Sequence, residues 1–255
     1  MKKIDRTGET SVNTYGVIMK IVKYNNSDNI IVEFQDEYRA KVHAKYRDFK
    51  KGLVKNPYNP IIYDVGFIAQ GKYNCKDHEK IYHYWHSMLA RCYDKKQLKR
   101  LPTYIDCKVC EEWHNFQNFA KWFEENYYEV EGDVMNLDKD ILKKGNKIYS
   151  SETCIFVPHR INSLFTKCDA LRGKYPIGVY EYKRDDNYRR FAVRCKMLDK
   201  NKSLGYFPLD RPFQAFTCYK NFKENYIKQV ADEYKDLIPI ELYNAMYNYE
   251  VEIND

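Results

Sequence analysis

The chain has 255 residues, 44% of them hydrophobic and 16% aromatic, and a net charge of +7; that is enough apolar material for two or three small cores, with one large core disfavoured. It holds no run of about 18 apolar residues, so no membrane partner is expected. Met1-Lys-Lys-Ile-Asp-Arg6 lacks an apolar signal core, and the eight cysteines then read as reduced thiols, so the expected location is cytoplasmic.

In chain order, the first module covers residues 1–60. Val17–Val22, Ile30–Phe34 and Ala40–Val42 are β-branched runs separated by polar turns, which predicts a small N-terminal β-barrel of the Src-homology or Tudor type. Such a module suits contact with DNA or with a host protein, or a purely structural cap. A linker from Tyr58 to Asn74 follows.

The second module, residues 75–170, opens with two helices. Ile81, Trp85, Met88, Leu89 and Cys92 share one face of a helix over His78–Tyr93, and Trp113, Phe116, Phe119, Trp122 and Phe123 share one face over Glu111–Asn126. Both stripes read as core that clamps the segment after them. Cys107-Lys-Val-Cys110 has the spacing of half a zinc knuckle. A second such pair is missing, and Cys92, Cys154 and Cys168 are single, so small buried thiols are the favoured reading over structural zinc.

Next come a short strand with Asp138 and Asp140 on one face, a Lys-Lys-Gly-Asn turn over 143–146, a second strand over Cys154–Val157, and a helix from about Pro158 carrying His159 and Asn162. The third module, residues 174–248, opens at Lys174-Tyr-Pro-Ile-Gly178. Strands are expected over Gly178–Tyr182, Tyr188–Met197 and Leu204–Phe207, and a helix over Arg211–Tyr234 with Phe213, Phe216, Cys218, Phe222, Tyr226 and Val230 on its buried side. Alternation along the middle strand sends Phe191, Val193 and Cys195 one way and Arg190, Ala192, Arg194 and Lys196 the other. Tyr180 and Tyr182 share the outer face, and Lys183 and Arg184 begin a turn expected over Lys183–Asn187. Residues 166–235 carry 16 basic and 9 acidic side chains, while Asp236–Asp255 has five acids and no Lys or Arg, which places a polyanion-binding face around 170–228.

The ordered series Trp85-x-x-Met88-x-x-Arg91-Cys92-Tyr93, Val109-Cys-Glu-Glu-Trp113 and Met135–Phe165 resembles the HNH (His-Me finger, ββα-metal) endonucleases of bacteriophages. The Gly-Val, strand pair and Leu-Gly-x-Phe pattern of the third module resembles the Apetala-type DNA-binding domain that such proteins carry after the finger. The resemblance implies an α+β protein that nicks or cleaves double-stranded DNA in an infected bacterial host. It implies a divalent cation, magnesium or manganese, held by Asp138, Asp140 and Asn162, and a sheet that enters the major groove with Tyr180, Tyr182, Lys183, Arg184, Arg190, Arg194 and Lys196. One departure bears on the chemistry. The family's strand histidine, the usual neutral base for activating water, is absent; Lys139 or its neighbours stand there, and His159 is the nearest substitute. Asp138, Asp140, His159 and Asn162 are therefore the candidate catalytic set. Two other readings remain open: an inactive HNH-like DNA-binding protein, acting as a regulator or as an inhibitor of host defence, and a protein-interaction module.

Overall fold

The computed structural model describes residues 4–165, 174–185, 188–198 and 200–253. In chain order the elements are β1 (Thr10–Val12), β2 (Ile18–Asn26), β3 (Asn29–Phe34), β4 (Lys41–Ala44), α1 (Tyr46–Lys50), α2 (Glu79–Tyr93), α3 (Lys95–Arg100), β5 (Lys108–Val109), α4 (Phe116–Asn126), β6 (Met135–Asp138), β7 (Ile148–Tyr149), β8 (Ile155–Pro158), α5 (His159–Asn162), β9 (Val179–Asp185), β10 (Tyr188–Lys196), β11 (Asn201–Phe207), α6 (Pro212–Glu233) and α7 (Ile240–Tyr247). The fold is mixed α+β. No described helix is long and apolar enough to cross a membrane.

The chain divides into two compact units. The first takes the described residues up to Glu125 together with Lys147–Ser150, and the second takes Asn126–Asn146 and the described residues from Ser151 onward. The excursion back to the first unit has a local cause: β7 pairs in parallel with β5, with Lys108 N–H donating to Lys147 O and Cys110 N–H to Tyr149 O, both at 2.9 Å.

The first unit begins with an antiparallel meander in the order β1-β2-β3-β4. Alternation buries Met19 and Ile21 of β2 and Ile30, Val32 and Phe34 of β3, and Phe49 of α1 and Val54 close the same core. The expected barrel does not form, and the sheet is open. Closure would need β1 to pair with β4, but these edge strands have three and four residues. The outer edge of β4 is instead met by a side chain, Gln70 Nε2 donating to Lys41 O at 2.8 Å.

The two aromatic stripes form the other layer of this unit. Trp85, Trp113, Phe116 and Phe119 are buried, as are Met88 and Leu89. Trp85 Nε1 donates to Trp113 O at 2.6 Å, which satisfies the one polar atom that such a ring takes into a core. The second helix starts later than expected: Glu111–His114 is a 3-10 turn, and α4 begins at Phe116. The short α3, capped by Asp94 through Lys96 N–H, is not foreshadowed by periodicity.

In the second unit β6 pairs with β8 and β9–β11 form a separate sheet in the order β11-β10-β9. Phe191, Val193 and Cys195 of β10 pack against Ala215 and Tyr219 of α6. Gly178 opens this module with φ 74°, and a Cβ there would collide with the Tyr219 ring, so both backbone and space call for glycine. The buried side of α6 is Ala215, Tyr219, Lys223, Tyr226, Ile227, Val230 and Ala231. Phe213, expected on that side, is 71% exposed, and Phe216 and Phe222 reach only the edge of the core. The acidic end of the chain forms α7 and then returns to the sheet: Val251 is buried, its N–H donates to Glu224 Oε1 at 2.8 Å and its carbonyl accepts from Lys220 Nζ at 2.9 Å.

Phe119 lies between Trp113, at a ring distance of 5.1 Å, and Phe123, at 6.2 Å. Phe119→Ala should lower the unfolding free energy by about 3–5 kcal/mol, read from urea denaturation. A loss under about 1 kcal/mol would show that the aromatic layer is not a packed core.

Candidate metal centre and nucleic-acid interface

Strand β6 carries two kinds of residue on its two faces. Met135 and Leu137 are buried, and Asn136 and Asp138 lie on the opposite, half-buried face. Pairing with β8 sets Met135 opposite Pro158 and Asp138 opposite Ile155. α5 starts directly after β8, and His159 N–H donates to Val134 O at 2.7 Å. The strand, strand and helix order over 135–162 is therefore present, with the helix one turn long before residues 163–165.

Asp138 ends the strand. Its Oδ1 accepts the N–H groups of Asp140 and Ile141, both at 2.8 Å, an Asx turn that breaks the pairing. Asp140 therefore does not share a strand face with Asp138, as alternation alone predicts, but sits in the bend beyond. Burial and then the nearby Asp140 charge push the Asp138 carboxyl above the usual carboxylate range, opposed by the two N–H donors and by Lys139. Lys139 is only 7% exposed, and its Nζ lies 3.3 Å from Asp140 Oδ1. Asn146 braces the turn by donating to Lys139 O at 2.7 Å.

His159 is exposed and Asn162 half-buried, one helical turn apart. Asn136 Nδ2 lies 3.2 Å from His159 Nδ1. With the amide donating, the neutral ring carries its hydrogen on Nε2. Asn136 is absent from the set that the sequence suggests. A signal for it exists, because it is two places before Asp138 and so on the same strand face, roughly 6.6 Å away along the chain.

Among the described residues no three His, Cys, Asp or Glu side chains converge as a metal cluster. The candidate donors here are two carboxylates and an amide. Cys107 is buried, and burial pushes the half-buried Cys110 thiol up. Cys168 lies outside the described residues.

The outer face of β9–β11 is the second candidate site. Tyr180 and Tyr206 both stand opposite Ala192, and Tyr182 stands opposite Arg190. Three phenol rings thus surround one small residue, which is 2% exposed. The Arg194 guanidinium lies over the Tyr180 ring at 4.9 Å, while Arg184 and Arg190 lie over Tyr188 at 4.8 and 5.2 Å. Lys196 is exposed at the end of the strand. Tyr180 Oη is buried and finds no hydrogen-bond partner among the described residues. Tyr188 and Tyr206 belong to this face and are missing from the sequence-derived set, although period two marks both. Lys183 belongs to the other parity: it pairs with Arg189, on the side where Glu181 takes an ion pair from Arg189 and a hydrogen bond from Tyr175 at 2.7 Å.

Compared with known proteins, the chain matches no protein-family model, no curated protein and no solved structure.

The Asp138 shift carries a sign. A carboxyl raised in the folded state binds its proton more tightly there than in the unfolded chain, so stability falls as pH rises from the unfolded value through the folded one. Asp138→Asn keeps the oxygen that both N–H groups use and removes the charge. It should be at least as stable as the wild type at pH 7, with the difference shrinking towards pH 3. Asp138→Ala should lose about 1–3 kcal/mol at pH 3 because two N–H groups lose their acceptor, with the loss smaller at pH 7. Denaturation of the three proteins across pH 3–8 checks both signs.

Proposed function

We propose that the protein binds double-stranded DNA through the outer face of β9–β11 and cuts or nicks it, with a divalent cation, at the β6–β8–α5 segment. The observation that carries the binding half is the set of arginines laid over tyrosine rings. Arg184, Arg190 and Arg194 lose little further freedom when they meet phosphates or base edges, because the rings already restrict them. The buried, unpartnered Tyr180 hydroxyl adds an unmet donor on the same face.

The cutting half rests on the donor chemistry around Asp138. A buried carboxylate beside a second one is relieved by a hard cation, and oxygen donors from Asp138, Asp140 and Asn162 suit magnesium or manganese. When bound, such a cation supplies charge stabilisation for a phosphodiester under attack. Lys139 holds Asp140, and Asn136 orients His159 so that a neutral ring offers an N–H towards solvent or a phosphate. This is the HNH-like role that the resemblance implies, and it fits a phage protein working in the cytoplasm of its host.

One observation favours a second reading, a DNA-binding protein without cleavage that serves as a regulator or as an inhibitor of host defence. The strand position where a base is wanted holds Lys139, and the His159 nitrogen able to accept a proton is already engaged by Asn136. The protein-interaction reading has no comparable observation in its favour.

Arg190→Ala with Arg194→Ala should weaken duplex binding and reduce the slope of log affinity against log salt by roughly 0.9 for each phosphate no longer held. Asp138→Asn and Asn162→Ala should leave that binding near wild type and abolish plasmid nicking in magnesium or manganese. Tight binding by the wild type without nicking in either metal would select the second reading, and unchanged affinity and slope in the arginine variant would remove the sheet from the interface.

A further inference from the structure

The first unit carries a cationic stretch made of residues other than those of the β9–β11 face and the β6–β8–α5 segment. Helix α3 reads Lys95-Lys-Gln-Leu-Lys-Arg100, four cations in six residues with no acid. Lys95, Lys96, Lys99 and Arg100 are all exposed, as is Lys108 on the adjoining β5. Among the described residues none of these five forms an ion pair. Asp94, the nearest acid in sequence, spends its carboxylate on the cap, accepting Lys96 N–H at 2.8 Å.

Some other surface cations of the same unit are paired. In the N-terminal sheet Arg6 and Lys50 both meet Glu9, and Arg39 and Lys41 both meet Glu33. The α3 cations and Lys108 have no such partner among the described residues. Such a stretch gains little from folding and is available to an anion from outside.

Arg91 adds a further cation next to this stretch. It sits on the last turn of α2, just before α3, with a half-buried guanidinium hydrogen-bonded to Tyr149 and close to Tyr104 and Cys92. Against the opposing effect of burial, these neighbours hold the guanidinium pKa above its ordinary value, so the cation is retained beside α3.

Lys95 and Lys99, and Lys96 and Arg100, are four apart and so form two columns with about 5–6 Å between side-chain roots. A phosphodiester strand presents one charge per roughly 3.4 Å of axis, so a row of closely spaced cations without carboxylates suits it. We propose that α3, Lys108 and Arg91 form a second nucleic-acid surface, which holds phosphates without reading sequence. The proposal rests on the reading that nucleic acid is the ligand, but on none of the residues that carried it.

The test uses the full chain and fluorescent duplexes of about 30 base pairs in two unrelated sequences, titrated over a range of salt. The variant Lys95→Gln/Lys96→Gln/Lys99→Gln/Arg100→Gln changes only exposed side chains. It should lose affinity equally for both sequences, and its salt slope should fall by roughly 0.9 per phosphate released, up to about 3.6 for four. Arg91→Met should lower the slope further when combined with it, with circular dichroism confirming the fold. Wild-type affinity and slope in the four-glutamine variant would overturn the proposal even if Arg190→Ala/Arg194→Ala is impaired. Impaired α3 binding beside a normal sheet variant would leave the proposal standing and remove the sheet reading.

Discussion

Strand β10 constrains most of what the second unit can be. It is the middle strand, paired on both sides, and its alternation puts Phe191, Val193 and Cys195 inside and Arg190, Arg194 and Lys196 outside. A slip of one residue would send three cations into the layer against α6, at a cost of several kcal/mol for each ion. Register is therefore fixed by the core, and the spacing of the arginines follows from it without further design. The pairing skips Leu204 between Val193 and Arg194, and Gly205, at φ 122°, lies at this bulge. Leu204 can thereby turn to the core while Tyr206 stays on the outer face.

The β6–β8–α5 segment obeys a different constraint. Its hairpin has only four residues a side, so side-chain-to-backbone bonds do much of the fastening. The Asx turn of Asp138 ends β6, and Asn146 holds the loop beyond it. Tyr234 Oη of α6 donates to Asp133 Oδ2 at 3.1 Å, and Lys144 Nζ donates to Glu250 O at 2.9 Å and lies 4.9 Å from the Tyr249 ring. Phe165 packs against that ring at 4.8 Å. These contacts tie the polar segment to α6 and to the end of the chain, all within one unit. They also explain why an acidic C-terminal stretch belongs to the fold: Val251 supplies an apolar anchor, and its neighbours receive Lys144.

The elements that the sequence makes legible are those with an uninterrupted period. Trp85, Met88 and Leu89 on α2, the β2 and β3 alternation, and the β10 faces all follow from side chains that burial alone sorts. The misreadings share a cause in side-chain chemistry that period does not encode. β-branched runs suggest a barrel, but closure depends on edge strands, and β1 and β4 are too short to meet. Alternation places Asp140 on a strand that Asp138 itself terminates by capturing backbone N–H groups. A turn is expected from Lys183, whereas strand β9 continues to Asp185 and keeps alternating. Hydrophobicity assigns Phe213 to the core, yet small Ala215 and long Tyr219 fill the space against the sheet. Asn136 escapes notice because an amide inside a short strand carries no periodic signal beyond its parity.

Asn136 changes what His159 can be asked to do. A neutral imidazole has one accepting nitrogen, and the 3.2 Å contact occupies it. The remaining nitrogen then bears a hydrogen, which suits holding a phosphate oxygen but not taking a proton from water. For His159 to serve as a base the Asn136 amide must turn its oxygen to the ring, so that Nδ1 donates and Nε2 is free. That reversal exchanges one hydrogen bond for another and breaks no packing, since both groups lie at the surface of the segment. What His159 can do therefore depends on the orientation of a single amide.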